Sequence, residues 1–291
     1  MADSRSTVLF PIGFQELFSA WKDHPDTIIC AGGTELIRNQ GRRVPIFPER
    51  IISLDKIEEL YKISRTERFL EIGAMVKLNQ ILYLGKIVPE ALTQTIECIA
   101  GPQLRNLATI GGNLCTPTRR HDCSAPLIAL DSQFELRTAQ STRWISASQF
   151  SSLPGPPAIA SHEILTRIRV PLEPWTFTWY RKFRCAGSNE PGGGVLFIIR
   201  NQKNILTSIR VVYSGKIILR DKNSETMLAG KHLPLDRRDT KVFVDYWKNY
   251  LSVFEGIEDS VFPTGNKSST PELMKTQLLN FIESTLMRIS D

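Results

Sequence analysis

In the stretch Ala108-Thr109-Ile110-Gly111-Gly112-Asn113-Leu114-Cys115-Thr116 a paired glycine stands among small hydroxyl and amide side chains, and a carboxylate, Asp122, follows nine residues after Asn113. Glycines let a backbone approach a ligand closely or adopt positive φ, which a side chain would resist. Thr109, Asn113 and Thr116 offer hydroxyls and an amide to phosphate or ribose oxygens. Alone, such a stretch is equally a tight turn between two core elements. A second loop of the same make-up shifts the balance toward a ligand. Ile29-Cys30-Ala31-Gly32-Gly33-Thr34-Glu35-Leu36 follows the apolar residues Thr27-Ile28. Two such loops predict one site.

A chain of 291 residues is long enough for a sizeable core and for two domains. Its composition, 42% hydrophobic and 23% charged, is that of a globular protein. No apolar run approaches the ~18–20 residues of a membrane span, and Met1 to Phe10 lacks the layout of a signal peptide. A cytoplasmic location with no membrane contact is expected. The five cysteines, Cys30, Cys98, Cys115, Cys123 and Cys185, form no C-x-x-C pair. They read as packing residues rather than as ligands of a metal or an iron–sulfur centre, which needs about four thiolates. The net charge of +6 is scattered and forms no basic stripe, so nucleic acid is not expected as a partner.

Along the chain, Phe14 to Trp21 has helical spacing, Thr27 to Cys30 and Arg50 to Leu54 read as strands, and Phe69 to Ala74 as strand plus turn. Leu78 to Leu84 and Ala91 to Ile99 suit helices. The order so far is βαβ-like, but no G-x-G-x-x-G follows a strand, which disfavours a nicotinamide-type dinucleotide fold. Ala125 to Leu130 reads as a helix, Gln133 to Arg137 and Ile164 to Pro171 as alternating strands, and Ser151 to Pro157 as a loop. Pro171 and Pro174 mark a domain boundary. Beyond it, Trp179–Phe183, Val195–Arg200, Leu206–Tyr213 and Lys216–Leu219 predict a meander, and Lys241–Leu251 and Leu273–Met287 two helices. That order predicts an α+β unit with helices on one face of an antiparallel sheet.

Taken together, Ala31 to Leu36, Ile72-Gly73-Ala74, Ala100-Gly101-Pro102-Gln103-Leu104-Arg105-Asn106 running into the glycine pair, Leu130-Asp131, Glu163 to Pro171 and Met227 to Leu233 resemble the FAD-binding subunit of the molybdenum hydroxylases. Xanthine dehydrogenase and carbon monoxide dehydrogenase flavoprotein subunits are members of that group. The resemblance covers nearly the whole chain in the right order.

It implies an α+β fold: a two-subdomain FAD-binding domain of vanillyl-alcohol-oxidase (PCMH) type at 1–173, divided at about residue 55, and a smaller C-terminal domain at 174–291. It also implies FAD as cofactor, lying between the subdomains. Gly32 and Gly33 would give their N–H groups to the pyrophosphate, a nest that needs no basic side chain, with Thr34 and Glu35 lining the same turn and Ile29, Cys30, Ala31 and Leu36 completing the loop. Thr109, Gly112, Asn113 and Thr116 would contact pyrophosphate and ribityl oxygens, with Ile110 and Gly111 in the same site and Asp122 nearby on ribityl or ribose hydroxyls. Ala74 completes this set, Ile99 would touch the adenine, Leu165 the adenine or flavin ring, and Lys182 would lie near the flavin. Plain structural roles stand beside these: Asp122 as a helix cap, Leu165 as core, Lys182 as a solvated charge.

The implied activity is electron transfer within a heterotrimer. A 2Fe–2S iron–sulfur subunit delivers electrons, a large molybdopterin subunit oxidises the substrate, and NAD or another acceptor takes the electrons. The cofactor carries the chemistry, so no side chain here is expected to act as acid or base. A self-sufficient FAD oxidoreductase of the same fold, and a flavin-free assembly scaffold, are the alternatives. Two stretches depart from the family pattern. Arg119-Arg120-His121 precede Asp122, and Asn189-Glu190-Pro191-Gly192-Gly193-Gly194 replaces the usual Arg–Asp pattern.

Overall fold

The computed structural model describes residues 6–38, 47–117, 122–151, 156–184, 191–215, 218–253 and 271–289. Three sheets organise it. The first is small and parallel, in the order β1 (Thr7–Leu9), β3 (Arg50–Ser53), β2 (Ile28–Cys30). Helix α1 (Phe14–Asp23) joins β1 to β2 and buries Phe14, Leu17 and Phe18, the i, i+3, i+4 stripe of its sequence. Helix α2 (Thr34–Arg38) starts directly after the first glycine pair. The βαβ-like reading of this region is thus what the backbone does.

The second sheet has five strands: β4 (Ile63–Arg65), β5 (Phe69–Gly73), β8 (Ile164–Pro171), β6 (Gln133–Arg137) and β7 (Thr142–Ser146), all neighbours antiparallel. Phe134 and Leu136 of β6 are fully buried while Gln133 faces out, which is the alternation of a strand with one wet face. Between β5 and β6 run α3 (Leu78–Tyr83), α4 (Glu90–Glu97), α5 (Pro102–Arg105), α6 (Ile110–Leu114) and α7 (Ser124–Ala129), and α8 (Ala147–Phe150) follows β7. One buried cluster joins Phe14, Leu17, Ile52 and Leu54 of the first layer to Leu70, Ile72, Phe134 and Ile168 of the second sheet.

The third sheet is a plain antiparallel meander of β9 (Phe177–Arg184), β10 (Pro191–Gln202), β11 (Ile205–Ser214) and β12 (Ile218–Arg220). Val195 to Ile199 are all fully buried because both faces of the sheet are covered. Val195, Phe197 and Ile199 pack with Phe243, Trp247 and Leu251 of α10 (Arg237–Ser252) and Leu278 and Ile282 of α11 (Pro271–Arg288). Leu196 and Ile198 pack the other way, into the first cluster. A short α9 (Lys222–Met227) precedes α10.

Arginines tie this meander to the rest. Arg220 donates to the carbonyl of Ile128 and to Asp131, both at 2.6 Å, and Arg210 donates to the carbonyl of Ala129. These oxygens belong to the last turn of α7 and to the residues just after it, where helix carbonyls lack partners and cations are favoured.

The elements expected from sequence are present, with differences. Ile110–Leu114 is a helical turn rather than a loop, Thr34–Arg38 is helical, and the short strands β1, β4 and β7 were not anticipated. The expected Ser151–Pro157 loop and the start of Lys216–Leu219 fall partly outside the described residues.

Candidate functional site

The two glycine loops touch. A Cβ built on Gly32 would overlap the Leu107 carbonyl, with its carbon 2.9 Å away and the Ala108 Cα 3.2 Å away. Those are backbone atoms that no rotamer change can move, so only glycine allows this approach. Ala31 lies on the same seam, its Cβ 3.5 Å from where a Cβ on Gly112 would sit. Gly33 differs. Its φ is +71° and a Cβ there would meet only the Cys30 sulfur, at 3.7 Å, so conformation rather than crowding calls for glycine. The N–H groups of Gly32 and Gly33 donate to nothing among the described residues, whereas the neighbouring Leu54 N–H is bound by the Cys30 carbonyl at 2.9 Å.

The second loop is built around Thr109. This residue is the N-cap of α6, its hydroxyl accepting from the Gly112 N–H at 3.0 Å. The N–H groups of Ile110 and Gly111 donate to the carbonyls of Val76 and Ala74, at 3.0 and 2.8 Å, and that of Asn113 to the Thr109 carbonyl at 3.0 Å. The backbone donors of residues 110–113 are therefore committed within the fold. What remains to offer a ligand is the Thr109 hydroxyl proton and the Asn113 amide, whose Oδ1 accepts from the Cys123 N–H at 3.3 Å. Thr116 donates its hydroxyl to the Gly112 carbonyl at 3.1 Å. Gly111 must be glycine because Ala74 presses on it: the Ala74 carbonyl and Cβ would lie 2.7 and 2.8 Å from an added Cβ.

Asp122 is buried, and it does not cap α7, whose N-cap position is Cys123. Its carboxylate accepts from the Tyr180 hydroxyl at 2.6 Å and from Lys182 Nζ at 2.9 Å. Lys182 also lies 3.5 Å from the Cys98 carbonyl, so it is an ion-paired group rather than a solvated charge. Burial, reinforced by the Asp122 carboxylate, holds the Tyr180 phenol well above its ordinary range. It is a donor at physiological pH. Tyr180 was not foreseen; its position two residues before Lys182, on the same face of a strand, was the available signal. Nearby thiols are inert: burial pushes Cys115 up to about 12 and raises Cys123 as well.

The other expected site residues divide. Ala74 is buried, and Ile29, Cys30 and Leu36 are half-buried along the first loop. Glu35 faces its own helix, pairing with Arg38 at 2.7 Å. Ile99 is buried beneath a turn whose carbonyls at Glu97, Ile99 and Ala100 are gathered by Arg105 at 3.1, 3.0 and 2.8 Å. Leu165, 3% exposed, belongs to the main core cluster, paired with Leu136 across the sheet. Arg119, Arg120 and His121 lie outside the described residues. A cavity of about 640 Å3 is lined by Lys86, Glu90, Leu172 and Trp175 among others, and adjoins neither glycine loop.

Residues 4–173 match the model of the FAD binding domain in molybdopterin dehydrogenase. The chain belongs to that family. It is accordingly an FAD-binding protein. It is 29% identical over 232 residues to the nicotinate dehydrogenase FAD-subunit of Eubacterium barkeri, covering 76% of this chain and 77% of that one. It is 26% identical over 248 residues to xanthine dehydrogenase 2 of Arabidopsis thaliana, and it spans 18% of that protein's length and about half that of similar Escherichia coli subunits. Its fold matches that of carbon monoxide dehydrogenase from Hydrogenophaga pseudoflava with a TM-score of 0.81 at 22% identity, over 98% of this chain and 97% of that one.

The residues present fit the cofactor. Two adjacent unused N–H groups beside a positive-φ glycine suit a pyrophosphate. The Ser124 hydroxyl, buried at the start of α7, has no partner among the described residues, and such an orphaned donor suits a polar ligand. No helix among the described residues is long and apolar enough to cross a membrane.

Proposed function

We propose that this chain is the FAD-carrying electron-transfer subunit of a multi-subunit molybdenum hydroxylase. Its site would lie between the two glycine loops and the Asp122–Lys182 pair. The contact of Gly32 with Leu107 and Ala108 supports this reading most directly, because it brings a loop whose glycine N–H groups donate to nothing among the described residues against the backbone that leads into Thr109.

Within that reading, Gly32, Gly33 and Thr34 bind the pyrophosphate through their N–H groups, with Ile29, Cys30, Ala31, Glu35 and Leu36 shaping the turn. Thr109 and Asn113 supply side-chain donors, while Ile110, Gly111, Gly112 and Thr116 hold that loop in shape beside Ala74. Asp122, joined to Lys182, would accept from ribityl hydroxyls. Lys182 would supply a positive charge near the flavin, and Ile99 and Leu165, both in the main core cluster, would lie behind the rings as part of the apolar wall. When bound, FAD supplies single-electron and hydride chemistry, while the protein supplies position and electrostatics.

A small 2Fe–2S subunit and a large molybdopterin subunit are the proposed partners, with NAD or another acceptor taking the electrons. That similar proteins are an "FAD-subunit" and a "medium chain" supports a multi-subunit setting. The end of the family match at residue 173 supports a division into an FAD-binding domain at 1–173 and a C-terminal domain at 174–291. Free thiols at Cys30, Cys98, Cys115 and Cys123 suit a cytoplasmic setting.

The test is flavin content. The purified chain should carry FAD, seen by its absorbance bands, and Gly33→Val should abolish uptake because a β-branched residue cannot hold φ +71° without distortion. A folded wild-type chain that takes up no FAD on titration would overturn the proposal.

A further inference from the structure

Tyr180 is placed with more care than a packing residue requires. Its hydroxyl donates to Asp122 Oδ1 at 2.6 Å while Lys182 donates to Oδ2 at 2.9 Å. A carboxylate held at both oxygens has a fixed plane. Two features of the third sheet bring the phenol there. Tyr180 lies on β9, the edge strand, and the side chain of Gln94 from α4 pairs with that edge: Gln94 Oε1 accepts from the Tyr180 N–H and Gln94 Nε2 donates to the Thr178 carbonyl, both at 3.1 Å. On the neighbouring strand, a Cβ at Gly194 would overlap the Tyr180 hydroxyl and lie 2.6 Å from its ring carbon Cζ. The missing side chain at Gly194 is the gap through which the ring reaches Asp122. A role thus emerges for one residue of the Gly192-Gly193-Gly194 run.

We propose that Tyr180, admitted by Gly194, is a positioning residue that orients the Asp122 carboxylate toward the flavin half of the FAD site. The inference rests on the reading of that site given above. Tyr180 acts through Asp122 and its effect is confined to the ribityl end. The glycine loops, which bind the ADP half, do not depend on it.

The experiment titrates the 291-residue chain, freed of flavin, with FAD, and measures ADP as a competitor. Tyr180→Phe is expected to weaken FAD binding about tenfold or more, as loss of one hydrogen bond to a charged group does, while ADP competition stays within about twofold. Gly194→Ala keeps the hydroxyl but occupies its path, and is expected to show the same pattern. The double variant should be no weaker than the weaker single, because both act through one contact. FAD binding by Tyr180→Phe within about twofold of wild type would overturn the inference, and so would FAD and ADP weakening in parallel, which marks a purely structural role. If Tyr180→Phe fails to fold, Gly194→Ala decides on the same readings. Failure of the wild-type chain to bind FAD would overturn the flavin reading itself, whereas wild-type binding with unaltered variants overturns only the role of Tyr180.

Discussion

Replacing Gly32 with alanine adds one methyl group at the seam between the two glycine loops. That methyl would overlap the Leu107 carbonyl and stand 2.9 Å from its carbon. Relaxed non-bonded contacts settle near ~3.5–4.0 Å, so the loops must part by roughly 1 Å. No side chain can rotate to make room, because the obstructing atoms are backbone, and Leu107 and Ala108 are held in turn by bonds to the carbonyl of Leu104 at 3.0 and 2.8 Å. Overpacking of this kind costs about 1–3 kcal/mol. For a chain of this size that lowers the midpoint of thermal unfolding by roughly 3–10 °C. FAD uptake should fall more steeply than stability, since the donors of one loop move away from those of the other. The assay is thermal unfolding by circular dichroism beside an FAD titration of the same preparation. An alanine variant as stable as wild type, with unaltered FAD affinity, would show that the loops do not meet as described.

Two further outcomes follow from the ion pairs. The Arg143 guanidinium, paired with Glu163 at 2.7 Å, holds the Glu163 carboxyl below its ordinary range. A depressed carboxylate stabilises the fold above its unfolded pKa of about 4.3 and loses that contribution as pH falls through its lower folded value. Glu163→Gln should therefore be less stable than wild type at neutral pH and converge with it in acid; a difference constant from about pH 7 to pH 3 refutes the assignment. Arg220, 8% exposed in its side chain, binds Glu225 at 2.5 Å and Asp131 at 2.6 Å besides the Ile128 carbonyl. Arg220→Met should destabilise the chain by about 3 kcal/mol in urea unfolding, since it strands a largely buried carboxylate, and a change under ~0.5 kcal/mol would contradict the latch between the meander and α7.

Much of the architecture is legible in local sequence pattern. The i, i+3, i+4 spacing of Phe14, Leu17 and Phe18 and the alternation around Phe134 and Leu136 are direct prints of burial on one face. Helix α6 escaped because glycine pairs carry the weakest helix propensity short of proline, and only the Thr109 cap and the packing of Ala74 on Gly111 hold them helical. Strand β1, three residues long, is defined by its partner β3 rather than by its own composition. At the site, the residue types were readable and their couplings were not. Asp122 and Tyr180 are 58 residues apart in sequence, and nothing local distinguishes a carboxylate that caps a helix from one gripped across two layers. The glycine at 194 is explained only by the ring that crosses it. The same limit applies to the second loop, where Gly111 and Gly112 read as ligand donors but have their N–H groups committed inside the fold.

The measurement that bears most directly on the two-loop site is a structure of this chain with FAD bound. The account predicts pyrophosphate oxygens within hydrogen-bonding distance of the Gly32 and Gly33 N–H groups and the ribityl chain beside Asp122. FAD bound instead in the cavity at Trp175, or across a surface that touches neither glycine loop, would contradict it.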